Sequence, residues 1–326
     1  MNYPWLEPAL QEFRTRLRND RLAHACLLSG PRGLGKTDLA QRMVATLLCL
    51  QGGETECGVC RSCQLLRGGA HPDFRLISYE INPKTDKLRT AVVIEQVREL
   101  NSVIHLTHAL SPRKVVLINP AEAMNRNTAN ALLKTLEEPP GDGVVLLVSH
   151  DPSRLPATIR SRCQSINVRL PDEAMALRWL LETTGAKERF ARDALCACAG
   201  SPLLAQSMLA SGDIEHFRAV GRMLERVQAD ETAVGEVLET CAAVDQEGLW
   251  NWISLLAAQR LRACFGLGAQ ESAATRPAGA ERLVMARRIS RLQSLADENR
   301  RAQKSPLRKD LLLRDWLIQW SRLASS

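Results

Sequence analysis

A chain of 326 residues is too long for one ordinary hydrophobic core, so two or three domains are expected. Apolar residues at 45% and charged residues at 24% fit a soluble globular protein and exclude a disordered one. The formal charge of +7 suits either a polyanion partner such as DNA or a solvated basic surface.

The first residues, "MNYPWLEPAL", have neither a charged start nor an apolar h-region. The longest apolar runs, such as "VVLLV" at 144–148, fall far short of the roughly 18 residues that a membrane span needs. A cytoplasmic chain without membrane contact is therefore expected, and its ten cysteines argue for metal or free thiols over disulfides.

In chain order, "ACLLS" (25–29) reads as a buried strand and "KTDLAQRMVATLLCL" (36–50) as a helix. "FRLIS" (74–78) is a second strand, and "IEQVRELNSVIHLTH" (94–108) an amphipathic helix. "KVVLIN" (114–119) is a third strand. "TANALLKTLEE" (128–138) is a helix stopped by Pro139-Pro140, and "GVVLLVSH" (143–150) is a fourth strand. This alternation predicts an α/β domain over 1–166, a parallel sheet with helices on both faces. Residues 167–208 hold two or three short helices broken by "TTG" and "AGSP". Residues 209–326 read as almost wholly helical, interrupted by a low-complexity loop at 266–281 and closed by an amphipathic helix at 307–323.

Between the first strand and its helix lies "GPRGLGKT". Gly30, Gly33, Gly35, Lys36 and Thr37 complete the pattern G-x-x-x-x-G-K-[ST]. Glycines let backbone N–H groups curl toward an anion, and the following helix adds its positive end. Lys36 would reach the outer phosphates and Thr37 would offer a hydroxyl to magnesium. Binding is not hydrolysis, however. Turnover needs an anionic magnesium anchor on a second strand and a base to activate water. "KVVLIN" ends instead in Asn119-Pro120, a neutral amide beside a residue with no base; Glu122 lies beyond and is expected to point elsewhere.

Cys49, Cys57, Cys60 and Cys63 follow C-x₇-C-x₂-C-x₂-C, over 49–63. Four thiolates with no open position mean structural zinc; a redox C-x-x-C or unmetallated thiols are the alternatives. The other six cysteines lie in apolar segments and read as core filler.

"NPAEAMNRNTANALLKTLEEPP" (119–140) resembles the stretch after the second acidic motif in the bacterial clamp-loader AAA+ family, ATPases that open the sliding clamp of the replicative DNA polymerase. "YPWL", "HACLLSGPRGLGKT", the cysteine cluster, "GGAHPDF" and "PATIRSRC" fall in the family's order, and the resemblance covers most of 1–210. It implies an AAA+ domain over 1–166, a helical lid over 167–208 and a collar over 209–326. It also implies zinc on the four cysteines, and Arg162 of "IRSRC" as an arginine finger that enters the ATP site of a neighbouring subunit. The family's motor subunits, gamma and tau, carry Asp-Glu where this chain has Asn119-Pro120, and a lid arginine where it has Leu203; Ser149 stands at the first polar sensor. These departures imply a stator subunit. It would have no catalysis of its own, hold ATP or ADP without hydrolysis, and act beside gamma/tau and delta subunits, the sliding clamp and primed DNA. The intact phosphate loop departs from that pattern, since stator chains can lack it.

Alternatives at single positions are blander. The alternative for Arg162 is a surface or interface arginine in a salt bridge, with Arg160 its nearest competitor for the finger role. Glu137 and Glu138 read as solvated helix-end carboxylates, and His24 and His71 as hydrogen-bonded structural residues. Trp250, Trp252, Trp316 and Trp320 read as core, and the basic run at 300–309 as a solvated connection or a DNA contact. Two competing functions stay open at this point: a motor ATPase of the same family, or a zinc-containing DNA-binding protein with a vestigial phosphate loop.

Overall fold

Three runs of aliphatic residues are buried at every position, as strands covered on both faces must be: β1 (Ala25–Ser29), β5 (Val115–Ile118) and β6 (Val144–Ser149). The remaining strands in chain order are β2 (Phe74–Ile77), the two-residue pair β3 (Ile81–Asn82) and β4 (Lys87–Leu88), and β7 (Gln164–Asn167). In the computed structural model, which describes residues 3–82, 86–89, 91–97, 107–138, 141–229, 234–241, 246–265, 279–301 and 309–323, the strands β2-β5-β6-β1-β7 form one sheet in that order. All its pairings are parallel. The register sets Ser29 beside Ser149 and Ile118 beside Leu147, so the carboxyl ends of β1, β5 and β6 share one edge. In open α/β sheets that edge is where ligands bind.

Helix α1 (Glu7–Arg18) buries Ala9, Leu10 and Phe13; α2 (Lys36–Leu48) follows the phosphate loop, and α3 (Arg61–Arg67) leaves the cysteine cluster. The helix Arg126–Glu137 starts at an Asn125 cap and packs Ala129, Leu132 and Leu136 against β-sheet residues such as Val116 and Leu147. Each fully buried leucine here contributes about 1.5–3 kcal/mol.

The chain divides into two compact units, Met1–Met175 and Ala176–Ser326. The second unit is helical: Pro202–Ser211, Asp213–Gln228, Val234–Cys241, Gln246–Cys264, Gly279–Arg301 and Lys309–Ser321 follow the pair Glu173–Thr184 and Glu188–Ala197 near its start. All four C-terminal tryptophans are buried, in line with the core reading. Trp316 and Trp320 stack at 5.1 Å, and their indole N–H groups donate to the Leu292 and Leu224 carbonyls at 2.8 and 3.0 Å.

Local differences from expectation are informative. Helix α1, the short helix Ala157–Arg160, β7 and the β3–β4 pair were not foreseen. Of the helix expected over 94–108, residues 94–97 are helical, 107–108 are not, and the rest lie outside the described residues. The loop expected at 266–281 and the basic run at 300–309 also lie largely outside them. Among the described residues no single helix is long and apolar enough to cross a membrane.

Candidate functional site

The loop between β1 and α2 is bent as its glycines predict. Gly30, Gly33 and Gly35 have φ of +151°, +72° and +80°. A Cβ on Gly30 would stand 2.2 Å from the Val168 carbonyl oxygen, and one on Gly35 would stand 2.8 Å from the Tyr3 ring. The "YPWL" segment braces the same loop, because Trp5 Nε1 donates to the Leu34 carbonyl at 2.9 Å. Lys36 is buried, and its ammonium donates to the carbonyls of Gly30 and Pro31 at 2.6 Å each. Burial pushes its pKa down to about 8, against the opposing pull of Glu122.

At the neighbouring strand end, Asn119 Nδ2 donates to Thr37 Oγ1 at 3.1 Å. The position that would carry an anionic magnesium anchor thus carries a neutral amide, bonded directly to the hydroxyl that would otherwise face the metal. One expectation is corrected. Glu122 does not point away: the 3₁₀ turn Ala121–Ala123 swings it back, and its Oε1 accepts from the His150 backbone N–H at 2.9 Å, just past β6. It also acts electrostatically on Lys36 and His150. Burial, then Lys36, hold the His150 imidazole below the usual histidine range.

Three buried polar atoms around this edge lack partners among the described residues: Glu122 Oε2, Ser149 Oγ and His150 Nδ1. Buried polar atoms are almost always satisfied, by a ligand or water if not by protein. The glycine nest, the helix end, the Lys36 ammonium and the Ser149 hydroxyl fit a phosphate-bearing ligand, whereas Glu122 Oε2 can only accept and does not. The same edge does not fit a magnesium ion held by a carboxylate at the end of β5. Leu203, which the family resemblance sets at the lid-arginine position, lies in the helix Pro202–Ser211 of the second unit.

Cys49, Cys57, Cys60 and Cys63 are brought together, their sulfurs all within 4.8 Å of one another. Tetrahedral zinc with Zn–S near 2.3 Å needs S···S edges of about 3.8 Å, inside that envelope. Backbone N–H groups of Cys57, Cys60 and Cys63 point at the sulfurs of Cys49, Cys57 and Cys60 at 3.4, 3.3 and 3.5 Å. The Cys63 N–H, which also makes Cys60 the cap of α3, pulls the Cys60 thiol down to about 6; burial pushes Cys63 up to about 12. Four thiolates this close need a cation to coexist, so the cluster could hold zinc. Glu54 ties this segment to α1, accepting from Arg14 Nε through its carbonyl at 3.2 Å and pairing with Arg18 through its carboxylate at 2.6 Å.

Sequence reading missed the network beneath the cluster. Ser62 and Ser111 hydroxyls both donate to the Leu48 carbonyl, at 2.7 and 2.8 Å, and both lie within 3.2 Å of His71 Nε2. His71 Nδ1 accepts from the Asp73 N–H at 3.0 Å, so the neutral ring carries its proton on Nε2. The imidazole therefore donates to the serines and cannot deprotonate them: the group is a buried brace, not a hydrolytic triad. Asp73 accepts three backbone N–H bonds, from Ala109, Leu110 and Ser111. His24 is likewise satisfied, by the Leu136 carbonyl at 2.9 Å.

Arg162 is exposed just past the helix Ala157–Arg160. Its Nη2 pairs with Glu137 Oε1 at 2.7 Å, and its Nη1 donates to the Thr158 carbonyl at 3.1 Å and the Ser161 hydroxyl at 3.4 Å. Glu137 is thus not a free helix-end carboxylate. No linear signal joins it to Arg162, because the two are brought together only by packing.

Comparison with known proteins supplies the relationship. The family described as "DNA polymerase III, delta subunit" matches residues 5–172. The chain is 35% identical over 329 residues to DNA polymerase III subunit delta' of Pseudomonas aeruginosa, covering 98% of both. It is 36% identical to the Escherichia coli subunit delta' over 61% of this chain and 58% of that one. It is 38% identical to the Haemophilus influenzae subunit tau/gamma over 48% of this chain and 22% of that one. Among solved structures, a gamma subunit-related protein of Thermotoga maritima shares the fold, with a TM-score of 0.50 and 16% identity over 97% of this chain and 99% of that one. An identity of 35% over nearly the whole of one delta' subunit, together with the family match over residues 5–172, places the chain: it belongs to the DNA polymerase III delta' subunit family, the clamp-loader subunits of bacterial replication.

Proposed function

We propose that this chain is the stator of a clamp loader: a cytoplasmic subunit that does not hydrolyse ATP alone. It docks beside gamma/tau motor subunits and a delta subunit, and supplies Arg162 to the ATP site of a neighbour. The complex would then open the sliding clamp on primed DNA. One observation carries the non-hydrolysing half of this reading, the Asn119–Thr37 hydrogen bond where an acidic magnesium anchor would stand. The guanidinium suits the other half, being always charged, planar and forked to match charge on a transferred phosphoryl group. In this reading the four cysteines carry structural zinc, and the divisions 1–166, 167–208 and 209–326 act as AAA+, lid and collar domains.

The test is steady-state phosphate release by the purified chain, which is expected to stay at background. Turnover abolished by Glu122→Gln or by replacing Lys36 would overturn the reading, with Glu122 then the base.

The phosphate loop still has a use in this proposal: it binds nucleotide without turning it over. Once bound, the nucleotide supplies phosphate oxygens to the loop N–H groups, while Lys36 holds charge at its ammonium. Because that ammonium loses its proton near pH 8 in the free chain, affinity for a fluorescent ATP analogue should fall as pH rises from about 8 toward about 10. A flat profile across that interval would show that Lys36 does not touch the phosphates.

A further inference from the structure

We propose that Glu137 is a positioning residue for Arg162: it fixes the guanidinium by one nitrogen and leaves a second donor edge open for a phosphoryl group. The inference rests on the arginine-finger reading and goes beyond it.

An arginine side chain has about 2 kcal/mol of rotamer entropy to lose when it is fixed, so an unsupported finger searches many orientations. This one is held from two elements that are distant in sequence. Its own turn supplies the Thr158 carbonyl and the Ser161 hydroxyl, and the last residue of the helix Arg126–Glu137 supplies the carboxylate. The hydrogen count matters. A guanidinium has five N–H groups. Nη1 spends both of its hydrogens on Thr158 and Ser161, and Nη2 spends one on Glu137. The Nε hydrogen and the second Nη2 hydrogen are without partners among the described residues, and two donors suffice for a bidentate grip on phosphate oxygens. The hold and the open edge coexist, which a blocking contact would not allow.

Both partners of the ion pair are partly exposed, Arg162 at 37% and Glu137 at 49%. Exposed pairs of this kind are weak. The expected contribution is therefore a few-fold in rate, far below that of the finger itself, and the contact can adjust as a neighbour docks.

The experiment uses the complex reconstituted with its motor subunits, with assembly verified by gel filtration. Glu137→Ala is expected to lower kcat at the site Arg162 serves by about two- to five-fold, with KM for ATP unchanged. Glu137→Gln, which keeps an acceptor oxygen without the charge, should fall between it and the parent. In an Arg162→Ala background, adding Glu137→Ala should change nothing further. Parental or higher turnover in Glu137→Ala overturns the proposal, and so does an equal loss in both backgrounds, which would mark a merely structural role. If Arg162→Ala is itself without effect, the finger reading fails, and that result is distinguishable from a failure of Glu137 alone.

Discussion

Arg162→Ala in the assembled complex is expected to cut turnover at the served ATP site by about 10³–10⁵-fold, while the purified chain keeps its fold. The two halves of that statement have different causes. The catalytic half follows from charge. A transferred phosphoryl group spreads negative charge over its oxygens, and a guanidinium delivered by a neighbour neutralises it without reorganisation. The structural half follows from exposure. Arg162 lies at the surface, and the ion pair it loses, with Glu137, is solvent-accessible; such pairs contribute about 0–1 kcal/mol. Melting temperature and assembly should therefore stay near the parental values. Total turnover will fall by the share of the served site, so single-site rates should be resolved. Arg162→Lys should recover little, since a point charge lacks the fork. Arg160, the nearest competitor, ends the helix Ala157–Arg160 on the exposed side, and its alanine variant should act as a control. Undiminished turnover in the Arg162→Ala complex removes the finger assignment. Loss in Arg160→Ala instead would move it by two positions.

What was legible in the sequence tracks the range of the forces involved. The phosphate loop is a local object: its residue types encode positive φ and a helix start within eight positions, and the backbone adopts both. The four cysteines are nearly local, and a fixed spacing places their sulfurs together. Strands β1, β5 and β6 announce themselves as unbroken apolar runs because both faces are covered. Edge strand β7, with the burial alternation of a half-exposed strand over only four residues, gives no such signal. The missed features are long-range. Glu122 was expected to point away because the distance along the chain from Pro120 says nothing about a 3₁₀ turn that folds the side chain back to β6. The Ser62–His71–Ser111 brace joins residues from three separate segments, and the Glu137–Arg162 pair joins a helix end to a distant turn. Side-chain contacts of this kind are set by packing, which a one-dimensional pattern does not contain.

Removing the zinc proposed for the cysteine cluster is expected to unfold residues 49–67 locally, an effect on the order of 10 kcal/mol for a structural zinc site. The segment has little else to hold it. Among residues 50–62, Leu50 and Val59 are exposed, so apolar burial contributes little there. The N–H···S bonds that organise the turns are weak because sulfur is a poor acceptor, and they strengthen when the sulfur is a charged thiolate. Without a cation, four crowded thiolates repel, and the buried Cys63 takes its proton back first, its thiol already pushed up to about 12. Loss should then spread through Ser62 to the Leu48 carbonyl and the His71 brace. The expected measurements are one zinc per chain by elemental analysis, lost on chelation or in Cys60→Ser, with fast hydrogen exchange confined at first to 49–67. Cys163→Ser, outside the cluster, should keep its zinc. A chelated chain with parental exchange rates in this segment would mean that the thiols stand unmetallated, and that the Glu54 contacts to α1 together with the histidine brace hold the module by themselves.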